Sequence, residues 1–183
     1  MFNSLFDGAP VDIMQMLDAR ERRAHTQQQL LQQFNPCVLV SITLNIPGPV
    51  KNSEAITTVF ASVISELDEA LQSFEKLHQE DFSLATGMEF YRVLRADALD
   101  VKRACTEFEE GHSLGRLLDI DVVEMAGETP TPISRTTLGM PPRRCFICNE
   151  EAKVCARSRK HTVLEMQEHI THMIAAYTST QRP

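Results

Sequence analysis

Hydrophobic spacing divides the chain into alternating helical and extended stretches. Residues 10–33 hold little but good helix formers. Pro10 suits a first helical turn, and Met14, Leu17, Ala24, Leu31 and Phe34 make an apolar stripe opposite Arg20, Glu21, Arg22, Arg23 and Gln27. Residues 37–46 are β-branched and apolar, the pattern of one buried strand. A stiff Pro47-Gly48-Pro49 turn follows, and Asn52 or Ser53 is a good helix N-cap. From there to about residue 79, Ile56, Val59, Phe60, Val63, Leu67, Leu71, Phe74 and Leu77 recur at helical spacing and predict one long helix packed on a sheet. Residues 82–95 predict a second strand after the Gly87 turn, with Met88, Phe90, Val93 and Leu94 partly buried, and Asp97 caps a helix to about Glu110 with Gly111 at its end. A further strand runs to about Met125, turns through Ala126-Gly127-Glu128-Thr129 and returns over 130–138 as an antiparallel hairpin. Thr162-Val163-Leu164-Glu165 is a capping box for a last helix with Val163, Met166, Ile170, Met173 and Tyr177 inward. Residues 1–9 read as a loose leader and 178–183 as a frayed tail. The whole is an α+β pattern, a mixed or antiparallel sheet flanked by helices.

Two places in this pattern carry chemistry. In Gly115-Arg116-Leu117-Leu118-Asp119-Ile120-Asp121-Val122, strand alternation puts Asp119 and Asp121 on one face and Leu118, Ile120 and Val122 on the other. The carboxylates then stand about 6.5–7 Å apart along the backbone. That lets both reach one divalent cation, or one each of a metal pair. Oxygen-only ligands favour Mg²⁺, which prefers carboxylate, water and substrate phosphate. The plain alternative is a solvated polar strand edge, although two carboxylates within an apolar strand are costly unless a cation compensates them. The second place is Asn45-Ile46-Pro47-Gly48-Pro49-Val50-Lys51. A strand, a rigid turn, a lysine and a helix N-terminus together suit an anion, because free amides and the Lys51 charge converge there. The arginines of the first helix read either as a solvated face or as contacts for substrate phosphates. Lys102 and Arg103, near the acidic strand, read equally as substrate contacts or surface residues.

Composition narrows the classes. A chain of 183 residues with 43% hydrophobic and 23% charged residues fits one domain with an ample core. A net charge of −7 argues against a general nucleic-acid binder. No uncharged apolar run approaches the ~18 residues of a membrane span, and no secretory signal pattern is seen. Five cysteines, three of them crowded into eleven positions, point to a reduced, cytoplasmic protein and not a disulfide framework. The crowded three form Cys145-x2-Cys148-x6-Cys155-x5-His161, a set that completes a closed tetrahedral zinc shell, with small buried cysteines as the alternative. His169 and His172 lie outside any recognised ligand spacing. Between residues 143 and 160, six Lys/Arg stand against two Glu, a local positive patch suited to an acidic partner or a multiply phosphorylated ligand.

Five separated motifs now stand in order: Ala19-Arg20-Glu21-Arg22-Arg23 with Gln27; Asn45 to Lys51; Gly115 to Val122; Ile133-Ser134-Arg135 with Leu138-Gly139; and Pro142-Arg143-Arg144-Cys145 through Cys155-Ala156-Arg157-Ser158-Arg159 with His161. Together they closely resemble the holo-citrate lyase synthase family, phosphoribosyl-dephospho-CoA transferases acting on the acyl carrier subunit of citrate lyase, over about residues 14–170. The resemblance implies a nucleotidyltransferase-like catalytic core over 1–140, with 141–183 as a Cys-rich loop and C-terminal helix packed on it within a single domain. It implies that a serine of the apo acyl carrier (gamma) subunit attacks the α-phosphate of 2′-(5″-triphosphoribosyl)-3′-dephospho-CoA and releases diphosphate. On that reading Asp119 and Asp121 hold Mg²⁺ and Lys51 and Arg116 hold the triphosphate. Arg20, Arg23, Asn45, Gly48 and Arg135 lie with the donor, and Cys145, Cys148, Cys155 and His161 hold structural Zn²⁺. A third carboxylate is expected from Glu89, Glu124 or Glu128, and the general base is unassigned. The Gly115-x3-Asp119 gap is shorter than that of many polymerase-like nucleotidyltransferases. Two other readings stand beside this one. One is a non-catalytic zinc module docking an acidic carrier protein, the other a nucleotidyltransferase using an ordinary NTP. No nucleic-acid or membrane partner is expected.

Overall fold

A computed structural model of the chain describes residues 5–148 and 150–180. Five strands, β1 (Val38–Leu44), β2 (Glu75–Leu84), β3 (Gly87–Arg95), β4 (Leu118–Ala126) and β5 (Thr129–Pro132), form one sheet in the order β2-β3-β1-β4-β5, with every adjacent pair antiparallel. Helices α1 (Ile13–Gln33), α2 (Glu54–Ala70), α3 (Ala98–Gly111), α4 (Ala152–Ser158) and α5 (Val163–Thr180) complete the α+β architecture. Among the described residues no helix is long and apolar enough to cross a membrane.

Strand alternation gives the sheet two unlike faces. On one, Val40 and Ile42 of β1, Phe90 and Leu94 of β3 and Ile120 and Val122 of β4 meet Phe60 and Leu67 of α2, Val101 and Cys105 of α3 and Ile170 and Ile174 of α5. Each such side chain contributes about 1.5–3 kcal/mol by leaving water, so this face holds the main core. The other face is covered by α1 and is apolar only at one end, where Leu30 and Leu31 pack on Leu39, Tyr91, Val93 and Val123. Toward the other end it turns polar.

That polar end corrects the reading of α1. The helix does not bury its Met14–Leu17–Ala24 side: Ile13, Met14 and Leu17 are exposed. Instead Ala19, Leu30 and Leu31 are buried, and Arg22, Arg23 and Gln27 reach down to the sheet. The face below them offers Glu89 and Ser41, so ion pairs and a hydrogen bond there outweigh the burial of a few scattered apolar side chains.

The expected long second helix also ends early. α2 stops at Ala70, and residues 75–84 form β2 on the sheet edge. Phe74 and Leu77, which fit a helical period, pack toward opposite faces of the sheet, Phe74 with the main core and Leu77 with the α1 cluster. Pairing along β3 from Glu75 to Leu84 outweighs local helical preference. The return strand is likewise shorter than expected. β5 ends at Pro132 and residues Arg135–Leu138 make a 3₁₀ turn capped by Ser134, since Pro130 and Pro132 cannot donate to a ladder. The capping box at Thr162 and Glu165 forms as expected, each side chain accepting from the other's amide. Of the expected frayed tail, residues 178–180 belong to α5 and 181–183 lie outside the described residues.

The leader is not loose from residue 5 onward. Leu5 is buried in the main core and its carbonyl accepts from Ser53 Oγ at 2.7 Å. Ser53 Oγ also accepts from Ile56 N, while Asn52 Oδ1 accepts from Ser53 N. The Asn52 and Ser53 side chains thereby occupy the Ser53 and Ile56 amides at the start of α2, and the leader takes the Ser53 hydroxyl.

The upper edge of β4 has no partner strand before Val123. Its backbone groups are taken by side chains instead: Lys102 Nζ donates to Ile120 O at 3.0 Å, Glu109 Oε1 accepts from Ile120 N at 3.4 Å and Arg143 Nη2 donates to Leu118 O at 2.6 Å. Lys102 is therefore neither a surface residue nor exposed to substrate; it is buried as an edge cap.

Candidate active site

β1 ends at the polar part of the α1 face, and its register assembles the site. Thr43 pairs with Asp119 of β4 on one side and Glu89 of β3 on the other; Ser41 pairs with Asp121 and Tyr91. Antiparallel partners share a face, so Glu89, Thr43 and Asp119 lie in one row and Tyr91, Ser41 and Asp121 in the next. Glu89 and Asp119 are thus about 10 Å apart at their Cα atoms, two strand spacings. Of the three candidate third carboxylates, alternation puts Glu124 on the opposite face, and Glu128 sits in the β4–β5 turn, roughly 25–30 Å along the strand from Asp119. Glu89 alone of the three shares the row.

Asp119 and Asp121 are both open to solvent, with the Asp119 side chain 58% exposed. Surrounding protein still strips enough water from Asp121 to push its carboxyl pKa up, and the neighbouring Asp119 charge raises it further. Two neighbouring carboxylates on an open face suit an all-oxygen cation site. Glu89 differs: it is 3% exposed and fully engaged, accepting from Arg22 at 2.8 Å, Arg23 at 3.3 Å and Tyr91 Oη at 3.1 Å.

Beside Glu89, a cavity of about 440 Å³ opens between α1 and the Pro47–Pro49 turn. Arg20, Arg23, Gly48 and Lys51 line it, with Met16 and Leu17 on its apolar wall. Lys51 Nζ donates to the Ile46 carbonyl at 2.7 Å, and burial pushes the ammonium pKa down. Gly48 has φ +90°, and a Cβ there would stand 2.9 Å from Gln167 Nε2 and 3.1 Å from Val163. Only glycine allows this turn to lie on the start of α5, where Gln167 Nε2 donates to Pro47 O. Asn45 closes the end of β1, its amide donating to Leu117 O at 2.8 Å.

A second cationic group lies across β4. Glu109 of α3, 3% exposed, accepts from Arg143 and, at 3.1 Å, from Arg135, which also pairs with Glu110 at 2.9 Å. Arg143 Nη1 stands 3.4 Å from Asp119 Oδ1. Arg116, in a 3₁₀ turn at Gly115–Leu117, has its Nε buried with no hydrogen-bond partner among the described residues. Burial lowers the Arg116 pKa, and the nearby Arg143 and Arg135 charges lower it further. A donor held dry beside like charges, with Glu109 as the main counter-charge, is arranged to receive an anion.

The expected residues thus fall into two groups around one pair of acids. Arg20, Arg23, Gly48 and Lys51 line the cavity; Arg116 sits across the strand; Arg135 is held by Glu109 and Glu110 away from that cavity. Sequence reading missed Glu109 and Arg143. A signal for Glu109 exists, since it continues the buried α3 positions Ala98, Val101 and Cys105 at helical spacing and a charge there requires a partner.

Cys145, Cys148, Cys155 and His161 come together, their ligand atoms all within 4.8 Å of one another. The Cys145 and Cys155 sulfurs are 3.6 Å apart and His161 Nε2 is 3.3 Å from Cys148 Sγ. A tetrahedral zinc with Zn–S about 2.3 Å would set ligand separations of about 3.5–3.8 Å, so the set can hold a metal such as zinc. It lies at the end of the strap that carries Arg143.

The chain is similar to known proteins over nearly its whole length. The family model for apo-citrate lyase phosphoribosyl-dephospho-CoA transferases matches residues 11–177. A probable apo-citrate lyase phosphoribosyl-dephospho-CoA transferase of Streptococcus pyogenes serotype M18 is 41% identical over 175 residues, 96% of this chain and 91% of that protein. The apo-citrate lyase phosphoribosyl-dephospho-CoA transferase of Shigella boydii serotype 18 is 37% identical over 158 residues, 85% of this chain and 84% of its own. Protein CitXG of Leuconostoc mesenteroides subsp. cremoris is 35% identical over 168 residues, 91% of this chain but 36% of that longer protein. With the match running from the start of α1 nearly to the end of α5, this chain belongs to the apo-citrate lyase phosphoribosyl-dephospho-CoA transferase family.

Proposed function

We propose that this protein transfers the phosphoribosyl-dephospho-CoA group from 2′-(5″-triphosphoribosyl)-3′-dephospho-CoA to a serine of the apo acyl carrier subunit of citrate lyase, by nucleotidyl transfer in the cytoplasm. One observation carries the mechanism: two solvent-open carboxylates on one sheet face are flanked by cations from both sides. The serine Oγ–P bond forms at the α-phosphorus as the α–β bridging P–O bond breaks, releasing diphosphate and the serine proton. Asp119 and Asp121 fit Mg²⁺ in ligand type, and the ion would neutralise phosphate charge as it develops. Lys51, Arg23 and Arg20 supply point charges and planar donors for the triphosphate from the cavity side; Arg116 supplies a dry donor from the other. Glu89 supports these by holding Arg22 and Arg23 over the sheet. Residues 1–140 act as the catalytic core and 141–183 as its metal-bearing appendage.

The test is the intact mass of the apo carrier before and after incubation with donor, Mg²⁺ and this protein. The expected result is a gain of one phosphoribosyl-dephospho-CoA group with diphosphate released. Diphosphate release from ATP alone, without the dephospho-CoA donor, would overturn the donor assignment.

Two outcomes follow for single parts of the site. Lys51→Ala should weaken donor binding by roughly 10–100-fold, the scale of one charged hydrogen bond. Because burial lowers the Lys51 pKa, wild-type donor affinity should decline on the alkaline side before the usual lysine range, and Lys51→Arg should abolish that decline. The KM for donor across pH 7–10 (about that window, set by the lysine reference value) measures both. Elemental analysis of protein purified without added metal should find about one zinc per chain. A well-folded protein with no bound metal would leave the four residues as buried thiols and an imidazole.

A further inference from the structure

The strap between Met140 and Cys145 joins the metal-type cluster to the acidic strand, and Arg143 is its point of contact. Arg143 Nη2 reaches Leu118 O and Glu109, and Nη1 stands 3.4 Å from Asp119. Behind the side chain, the backbone is clipped to the far side of the cysteine loop. Arg143 O accepts from Ala152 N at 2.8 Å, Cys145 N donates to Glu150 O at 2.8 Å, and Arg144 bridges Glu151 in antiparallel fashion. Cys145 and Cys148 lie inside the loop that this clip closes; Cys155 is on α4 just beyond it and His161 follows. Apart from the clip, Phe146 ties the loop to the core, packing against it and against the His169 ring.

The geometry points to Arg143 as a positioning residue for Asp119, held in place by metal bound at Cys145, Cys148, Cys155 and His161. Four ligands spread over seventeen residues, starting two positions after Arg143, fix the origin of its side chain when they close on one ion. With the origin fixed, the guanidinium orients the Asp119 carboxylate and offsets part of its charge. With the loop open, the side chain keeps its length but loses its aim. The zinc centre is then more than a structural staple: it sets how strongly the catalytic acids attract their cation. This inference rests on the reading of Asp119 and Asp121 as the cation site.

The experiment is a two-by-two comparison of wild type and Arg143→Ala, each with the cysteine-site metal present or removed by a chelator that is then dialysed away. Mn²⁺ serves as the probe of the acidic pair, with affinity read by titration, and carrier loading is read beside it. Removing the Arg143 charge should tighten Mn²⁺ binding about threefold, the scale of a partly exposed ion pair, and slow transfer about tenfold, the effect of a misplaced reacting group. Stripping the metal from wild type should do the same, and stripping it from Arg143→Ala should add nothing. Arg143→Lys should recover part of the rate only while the metal is bound. Independent, additive effects would overturn the inference, as would a weaker or unchanged Mn²⁺ affinity after stripping, or a protein that purifies without metal. Cys148→Ser repeats the stripped arm without chelator. If Asp119→Asn and Asp121→Asn leave Mn²⁺ binding intact, the cation-site reading fails whatever Arg143 does.

Discussion

Carrier loading by Asp119→Asn or Asp121→Asn is expected to fall by about 10²–10³-fold, the scale of losing one electrostatic group at a reacting centre, while the protein stays folded. The separation of rate from stability is the informative part. Burial, and then Asp119, holds the Asp121 carboxyl above its usual pKa. The folded chain therefore keeps that proton to higher pH than the unfolded chain does. Stability from this group is present below the unfolded value, about 3.9, and is lost as pH rises through the folded one. At neutral pH the Asp121 carboxylate works against folding. Asp121→Asn removes that opposition and should melt about 1–2 °C higher, a small gain because the group is solvent-screened. Initial rates from carrier mass, paired with thermal melts at neutral pH, measure both. A folded variant that loads the carrier at the wild-type rate would reduce Asp119 and Asp121 to a polar strand edge.

The largest stability loss is expected at Glu109. Its carboxylate is buried between Arg135 and Arg143 and accepts from the Ile120 amide. Glu109→Ala takes from two arginines the buried carboxylate they share and leaves the Ile120 amide unpaired, a loss of about 3–5 kcal/mol for breaking a buried pair from one side. For a chain of this size that corresponds to a melting point lower by roughly 10 °C or more. Glu109→Gln keeps the shape and an acceptor for Ile120 N but not the charge, so it should fall between. Urea unfolding of the three proteins gives the comparison. A loss under about 1 kcal/mol for alanine, the scale of an exposed pair, would mean that the arginines find other counter-charges.

Much of this site could be read without coordinates because strand parity is local. Asp119 and Asp121 are two residues apart in an apolar run, and that alone decides that they share a face. That Glu89, and not Glu124 or Glu128, shares the row of Asp119 needed the register across β1, which depends on which strands meet. The cysteine and histidine spacing was legible for a similar reason, since the four residues that come together follow one another closely along the chain. α1 was misjudged because its inward side is chosen by the sheet below: opposite Glu89 and Ser41, arginine and glutamine are the matching residues, and Ile13, Met14 and Leu17 stay outside. β2 was lost inside a predicted helix because an edge strand buries little and so leaves a faint period-two signal. Arg143 was invisible as a site residue because its role depends on a contact 24 positions away.

The side-chain seal along the upper edge of β4 has a consequence for how this protein fails. A bare strand edge is a template on which another chain can pair. The outer strand β2 guards its own edge with charges, among them Glu75, Lys76, Glu80 and Asp81. β4 relies instead on Lys102, Glu109 and the strap arginine. Damage to the C-terminal strap would therefore bare only the Leu118 carbonyl, because α3 still holds both backbone groups of Ile120 and Ile133 N still holds Val122 O, so another chain can pair along this edge only when α3 moves away as well.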